Sequence, residues 1–297
     1  MTNRRSEAPL ALVTGISGVQ GAAAARWLLA EGFRVRGWTA LPDSDVTRSL
    51  HALGCDILTG PLDTPERAGA AMAGARAVVS WQEYDVLGVD REVDQGRSLA
   101  AAAAGAGVEM LVYISTANAR LRTGLLRFDV KERIEEQVRA SGVPYSILRP
   151  AFPMQELERY GEEIERRGGR LELPVGPEVP LELIDLDDVA AIASRAASDP
   201  ESFAGREIDL ASEERTMIEI AEAFGRALGR AVRYEAIPWS LFRERRGSEM
   251  TAVYRWLNNV GYEVVLNEVR RQFPGLRTLE EFLLEQHHRE RLGAGAA

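Results

Sequence analysis

Residues 10–38 read LALVTGISGVQGAAAARWLLAEGFRVRGW, and this stretch decides the fold. Leu10 to Val13 is a short apolar run of the kind that suits a strand buried on both faces. Thr14 and Gly15 end it, and Gly15, Gly18 and Gly21 follow at intervals of three. From Val19 to Ala30 the pattern is helical and rich in alanine, a strong helix former. Glu31-Gly32 then places a glycine where a left-handed cap is wanted. Phe33, Val35, Gly37 and Trp38 make a second strand. Strand, glycine turn, helix and strand form one βαβ unit, and such a turn receives a pyrophosphate on the helix N-terminus. Each glycine has its own task there. Gly15 permits the tight turn, Gly18 lets a phosphate approach with no Cβ in the way, and Gly21 lets the helix pack on the strand. Ser17 and Gln20 add side-chain donors, with Val19 between them in the same cradle.

Outward from this unit the alternation continues. Strands are expected at Cys55–Thr59, Ala77–Ser80, Met110–Ile114 and Tyr145–Leu148, with a loop and then a helix within 41–54 and further helices at 64–72, 89–104 and 128–140. That rhythm marks an α/β doubly wound parallel sheet. After Pro150 it changes. A charged helix at 154–167 and a strand-like stretch at 170–183, broken by Pro174, Pro177 and Pro180, precede a helix at 185–197 and a strand at 207–210. Helices follow at 216–229, 239–246, 250–258 and 278–288. The expected organisation is a dinucleotide-binding domain over 9–150, completed by the strand and helix around 184–211. A smaller α+β substrate domain would come from 151–183 and 212–292.

Composition narrows the function. The chain carries 45 acidic against 36 basic residues, a formal charge of −9. This argues against nucleic acid as a partner, which would select a basic surface. No apolar run approaches the roughly 20 residues needed to cross a bilayer, and the opening MTNRRSEAP lacks a signal-peptide core. A cytoplasmic protein acting on a small molecule, away from membranes, is expected. One cysteine, Cys55, and three histidines, His51, His287 and His288, offer neither a disulfide framework nor a structural zinc site. No metal is expected.

The end of the second strand chooses the cofactor in sheets of this kind, an acidic side chain holding the ribose 2′-hydroxyl of NAD and an arginine accepting the 2′-phosphate of NADP. Here it reads Trp38-Thr39-Ala40 and supplies neither. Arg34 and Arg36 alternate with Val35 and point to the opposite face, Arg48 comes later, and Asp43 and Asp45 are close. NADP(H) is expected over NAD(H), with weak or lost binding as the alternative.

Longer stretches carry a family pattern. TGISGVQG is similar to TGATGxQG, GCDILTGPLD to a strand ending in GDLD, and EVDQGRSLAAAAAGAGVEMLVYIST to ExxQGxxxxxAAxxAGVxxxVYSS. FDVKERIEEQVRASGVPYSILRPAFPMQ is similar to FxSKxxxExxxxxSGxPYTILRPGFFME, and IDLDDVAAIA and AGREIDLASEERTMIEIAEAFGRALGR match the family's second half. Over almost its whole length the chain resembles the NmrA-like group of atypical short-chain dehydrogenases. The resemblance implies a Rossmann domain holding NADP(H) and a smaller domain shaping a cleft over the nicotinamide. Thr39 and Ala40 would border the adenosine. Ser80 and Trp81, with Gln82 and Tyr84, would border cofactor or substrate, and Phe152 and Met154 would line the nicotinamide pocket. There are three departures. The arginine after the second strand falls on Ala40, the aspartate of GDLD on Pro61, and the glycine before FFM on Ala151.

Short-chain dehydrogenases resemble one another in a serine, a tyrosine and a lysine, the tyrosine four residues before the lysine. Ser115 ends the fifth strand and Lys131 follows one turn into the next helix, but four residues before it stands Arg127. Arginine stays protonated at working pH and cannot act as the acid. Lys131 is therefore the titratable group left to serve catalysis and to meet the cofactor, with Ser115 as the second catalytic candidate. By pattern alone Lys131-Glu132-Arg133 reads as solvated helix surface; the match at FDVK makes it a site residue. Asn118 reads as a loop residue that could orient substrate. The expected function is a reductase moving hydride from NADPH to a small carbonyl, quinone or conjugated substrate. The alternatives are a non-catalytic dinucleotide sensor acting on a protein partner, and a non-redox cyclase or dehydratase on the same fold.

Overall fold

The computed structural model describes residues 8–82, 88–121 and 123–294, with side chains to residue 287. These residues fall into two compact units, one running to Arg149 and resuming over Leu186–Ile208, the other taking Pro150–Asp185 and the chain from Asp209 onward. Tyr84 lies outside the described residues.

In the first unit, β1 (Leu10–Thr14), β2 (Arg34–Trp38), β3 (Asp56–Leu58), β4 (Ala75–Ser80), β5 (Met110–Ile114), β6 (Tyr145–Pro150) and the tenth strand of the chain, β10 (Arg206–Leu210), form one sheet. Its order is β10-β6-β5-β4-β1-β2-β3. Neighbours pair in parallel. Backbone bonds from Gly205 to Tyr145 and from Ala151 to Leu210 run in the same sense, which makes β10 parallel to β6. Every residue of β1 and β5 is buried, because a parallel sheet carries helices on both faces. On one face lie α1 (Val19–Ala30) and α8 (Leu186–Ser198), joined by a bond from Trp27 Nε1 to Asp187. On the other lie α3 (Pro65–Met72), α4 (Val89–Ala103) and α5 (Leu126–Arg139), packed on Leu10, Leu12, Val78, Leu111, Tyr113 and Ile147. The strand order reverses between β1 and β4. In open α/β sheets the crevice at the carboxyl ends of such strands receives the ligand.

The Rossmann-type sheet expected from the alternation is thus present, with strand and helix limits within a few residues of those read. Gly205 precedes the returning strand. The segment that returns to the first unit is Leu186–Ile208, and just before it Asp185 is bound within the second unit to Arg277, 2.6 Å, and Gln155, 2.6 Å.

The second unit holds a three-stranded sheet, β7 (Phe152–Pro153), β9 (Pro180–Ile184) and β11 (Glu213–Thr216), and a two-stranded parallel sheet, β8 (Arg170–Leu173) with β12 (Arg233–Ala236). The single charged helix expected at 154–167 is two, α6 (Met154–Glu158) and α7 (Tyr160–Arg166). The helices at 239–246 and 250–258 form α11 (Trp239–Asn259), broken where Gly247 takes φ 82° and ψ 172°, outside helical geometry. Around Tyr254 the core closes with Phe242 at 4.8 Å, Phe152 edge-on at 6.2 Å and the Tyr160 hydroxyl at 3.1 Å. Helices α2 (Asp45–Ala52), α9 (Pro200–Phe203), α10 (Met217–Leu228), α12 (Leu266–Gln272) and α13 (Leu279–Ala294) complete the described elements, α2 and α9 belonging to the first unit.

Candidate functional site

The glycine turn has the geometry its spacing asks for. Gly15 takes φ 68°, in the left-handed region open to glycine. A Cβ on Gly21 would sit 2.2 Å from the Gly15 carbonyl oxygen and 2.8 Å from that of Thr14, so only glycine lets α1 begin so close to β1. Gly18 is the N-cap, extended and without a side chain to close the helix, and no acidic residue stands in the first turn. The first N–H groups of α1 have no intrahelical acceptor, and Val19 is exposed beside them. A phosphate fits this end: donors face it and no carboxylate repels it. Gln20 is buried, its Oε1 without a hydrogen-bond partner among the described residues.

The turn is tied to the second strand. Ile16 N donates to the Trp38 carbonyl, and the Ile16 side chain fills the space that a Cβ on Gly37 would need. Thr39 is fully buried and donates its hydroxyl proton to Ser17 Oγ at 2.8 Å, while accepting from Leu41 N. Ala40 is exposed. The arginines near this end are engaged elsewhere. Arg36 binds Asp56 and the Ala71 and Ala73 carbonyls; Arg34 reaches the Ala8 carbonyl; Arg48 pairs with Asp45 and the Asp43 carbonyl. At the other departure Pro61 is exposed, and the preceding Gly60 carbonyl accepts from Trp38 Nε1 at 2.6 Å.

At the switch point Thr14 clamps the ends of β1 and β4, accepting from Trp81 N at 2.8 Å and donating to Trp81 O at 2.6 Å. The chain leaving β4 carries the next group of residues. Ser80 Oγ accepts from Gln82 Nε2 at 2.6 Å, and both side chains are buried. Lys131 is buried too, at 4% exposure, contrary to the surface pattern of its neighbours. Its Nζ lies 2.6 Å from Glu92 Oε1 on α4, donates to the Gln82 carbonyl at 3.2 Å, and stands 4.3 Å from the centre of the Trp81 ring. Glycine sets this approach: a Cβ on Gly96, one turn along α4 from Glu92, would meet Ile134 at 2.6 Å. The two helices therefore run close enough for Glu92 to reach Lys131.

Ser115 belongs to a second cluster. It is buried and donates to Glu135 Oε1 at 2.6 Å. Glu135 accepts from Arg149 Nε at 2.8 Å and Nη2 at 2.6 Å, and from Arg139 at 2.6 Å. Glu207 joins both arginines. The bond from Arg139, and then that from Arg149, hold the Glu207 carboxyl down to about 2. Between the clusters, burial pushes the Tyr113 phenol well above its ordinary range, and the Glu92, Glu135 and Glu132 charges add to this.

The structure thus gathers Ser80, Trp81 and Lys131 around Gln82 and Glu92, and Ser17 with Thr39 at the turn. Phe152 and Met154 are buried in the second unit, Phe152 against Tyr254. Arg127 is half-buried one turn before Lys131. Asn118 is buried with φ 62°, which asparagine tolerates better than most residues, and its carbonyl accepts from Leu121 N. Burial pushes the Cys55 thiol up to about 11, so it is no nucleophile. Among the described residues no group of His, Cys, Asp and Glu is placed to hold a metal, and no helix is long and apolar enough to cross a membrane.

Sequence reasoning missed Thr14, Glu92, Glu135 and Arg149. For the lysine site the sequence does hold a signal: Lys131 is the only lysine among the 36 basic residues of the chain, the other 35 being arginine. Arginine serves every other cationic position, so this one asks for a compact ammonium on a flexible stem.

Comparison with known proteins agrees with this architecture. An NmrA-like family domain-containing oxidoreductase of Cladobotryum sp is 31% identical over 261 residues, 77% of each chain. An NAD(P)H azoreductase of Xenophilus azovorans is 29% identical over 195 residues, 66% of each. Among solved structures, a triphenylmethane reductase of Citrobacter sp. complexed with NADP(H) superposes with a TM-score of 0.78 at 19% identity, covering 94% of this chain and 99% of that one. NmrA, a negative transcriptional regulator solved in complex with NADP, gives 0.77 at 21% identity, covering 97% and 98%. The family profile itself matches residues 8–283, and the chain belongs to the NmrA-like family.

Proposed function

We propose that the protein binds a nicotinamide dinucleotide across the switch point and is an NAD(P)H-dependent reductase of small electrophilic molecules, such as carbonyl, quinone or azo compounds. One observation carries this: the chain's only lysine is buried at the carboxyl end of β4, held in a made-to-measure set of partners. The turn at Gly15–Gly21 would take the pyrophosphate. Bound NADPH supplies a hydride. The Lys131 ammonium places positive charge where a reduced oxygen or nitrogen gains negative charge, and water delivers the proton. The reading takes NADP(H) as the preferred cofactor because Trp38-Thr39-Ala40 carries no carboxylate to repel a 2′-phosphate. It also places the work in the cytoplasm.

The reading is supported by similarity to an NAD(P)H azoreductase and, in fold, to a triphenylmethane reductase complexed with NADP(H). The test is calorimetric titration with NADPH, NADP, NADH and NAD, followed by NADPH consumption with a panel of quinones, enones and azo dyes. Micromolar NADPH binding with acceptor-dependent oxidation is expected. Absence of binding at millimolar dinucleotide would overturn it and favour a non-redox use of the cleft. A second reading, a redox sensor, is favoured by Arg127 in the place of the acid and by a regulator among the structural neighbours. Tight binding without turnover on any acceptor would select it.

A further inference from the structure

The Lys131 ammonium has three partners. Glu92 Oε1 lies 2.6 Å from the nitrogen as an ion pair, the Gln82 carbonyl accepts from it at 3.2 Å, and the Trp81 ring centre stands 4.3 Å away. The first two are strong partners. The third is the face of an aromatic ring, a weaker partner that a substrate or cofactor oxygen can replace. Glu92 is fully buried, and neither of its oxygens has a hydrogen-bond partner among the described residues. A carboxylate at this depth is costly unless a cation compensates it. A charge pair of this kind on a helix that needs Gly96 to approach its neighbour is a placed feature and not a chance surface contact.

We infer that Glu92 is the positioning residue of the reaction centre: its ion pair holds the single lysine's ammonium against the Trp81 face, where an incoming anionic oxygen would meet it. The inference rests on the reductase reading for its meaning in turnover. Lys131 then acts as a fixed charge and not as the proton source. The groups around its nitrogen are Glu92 from α4 and Trp81 and the Gln82 carbonyl from the end of β4. Glu92 is the charged one of the three, so its removal dominates the response.

A chain with one lysine makes the test direct. The protein is labelled with [ε-13C]lysine, and its single lysine signal is recorded at pH 7 in wild type, Glu92→Gln and Glu92→Asp, beside kcat and KM for NADPH oxidation. Glu92→Gln displaces the lysine signal and lowers kcat about tenfold or more with KM little changed, as expected when a preorganised charge is misplaced, and Glu92→Asp recovers part of both. A Glu92→Gln lysine signal that matches wild type, or an unchanged kcat, overturns the inference. Failure of wild type to bind or oxidise NADPH sinks the reductase reading, while the lysine signal still decides the role of Glu92. Should Glu92→Gln not fold, the double variant Glu92→Gln/Lys131→Met, which strands no charge, folds. Equal misfolding of the double variant would show that Glu92 is needed without its lysine and overturn the proposal.

Discussion

Helix α5 carries two buried charge clusters four residues apart, and they are built differently. At Glu135 a fully buried carboxylate is surrounded by arginines, with Arg149 donating from two nitrogens and Arg139 from a third. That planar, forked pairing closes the cluster, with Ser115 as a further donor. At Lys131 the cation is a point charge on a flexible stem, pinned by one carboxylate and one carbonyl, with an aromatic face on its remaining side. The first arrangement suits a structural tie between β6, α5 and β10. The second suits a charge kept ready for a ligand. In a chain that otherwise uses arginine for every cation, the difference teaches that residue choice tells the two clusters apart where burial, shared by both, does not.

The sharpest way to break this comparison is to open the arginine cluster. Arg149→Met leaves buried Glu135 with Arg139 and Ser115, and should cost about 3–5 kcal/mol in urea unfolding. A loss under 1 kcal/mol would mean the cluster does not hold the sheet. Next comes the exchange of one cation for the other. Lys131→Arg should lower turnover by about 10²–10³, the usual loss when a preorganised charge is misplaced; Arg149→Lys should lower stability and change turnover only a few-fold. Steady-state NADPH oxidation on both variants decides, and equal losses would erase the distinction.

Gly96→Ala tests what brings Glu92 to Lys131. Its Cβ would meet Ile134 at 2.6 Å, so the variant should lose about 1–3 kcal/mol to overpacking, together with part of the turnover. Ile134→Val in the same chain should restore some of both, and no recovery would detach the glycine from the site. The smallest effect is acid sensitivity. The Glu207 carboxyl is held down to about 2 by Arg139 and Arg149, below the unfolded value near 4.3. Its contribution is therefore complete above about pH 4.3 and is lost as pH falls toward 2, amounting to about 1–2 kcal/mol for a partly exposed pair. Glu207→Gln should flatten that acid limb of thermal stability, and an unchanged limb would assign the acid response to other carboxylates.

The fold was legible because its signals are local. The run Leu10–Val13, the three glycines and the alanine-rich helix each announce themselves within a few residues, and the βα rhythm repeats them. Gly21 did what its spacing implied, allowing α1 to start against Gly15. The second unit was harder, since prolines and short strands leave weak periodicity; α12 was not read at all, and the tie of Asp185 to Arg277, distant in sequence, left no local signal. The site was least legible. Lys131-Glu132-Arg133 has the pattern of solvated helix, and only Glu92, 39 positions earlier and brought close by Gly96, explains why the lysine is buried. Ser115 read as a catalytic hydroxyl, while its proton goes to Glu135, whose arginine partner lies on the next strand. Pairings across a sheet leave no periodic trace in either segment.

The measurement that tests the account most directly is NADPH binding and oxidation by wild type and Lys131→Arg side by side, with affinity from calorimetry and rate from the loss of NADPH absorbance with a quinone acceptor. The account predicts that wild type binds NADPH and consumes it in step with the acceptor, and that Lys131→Arg turns over at least 100-fold more slowly. Wild-type turnover in Lys131→Arg, or no NADPH bound by wild type at millimolar concentration, would contradict it.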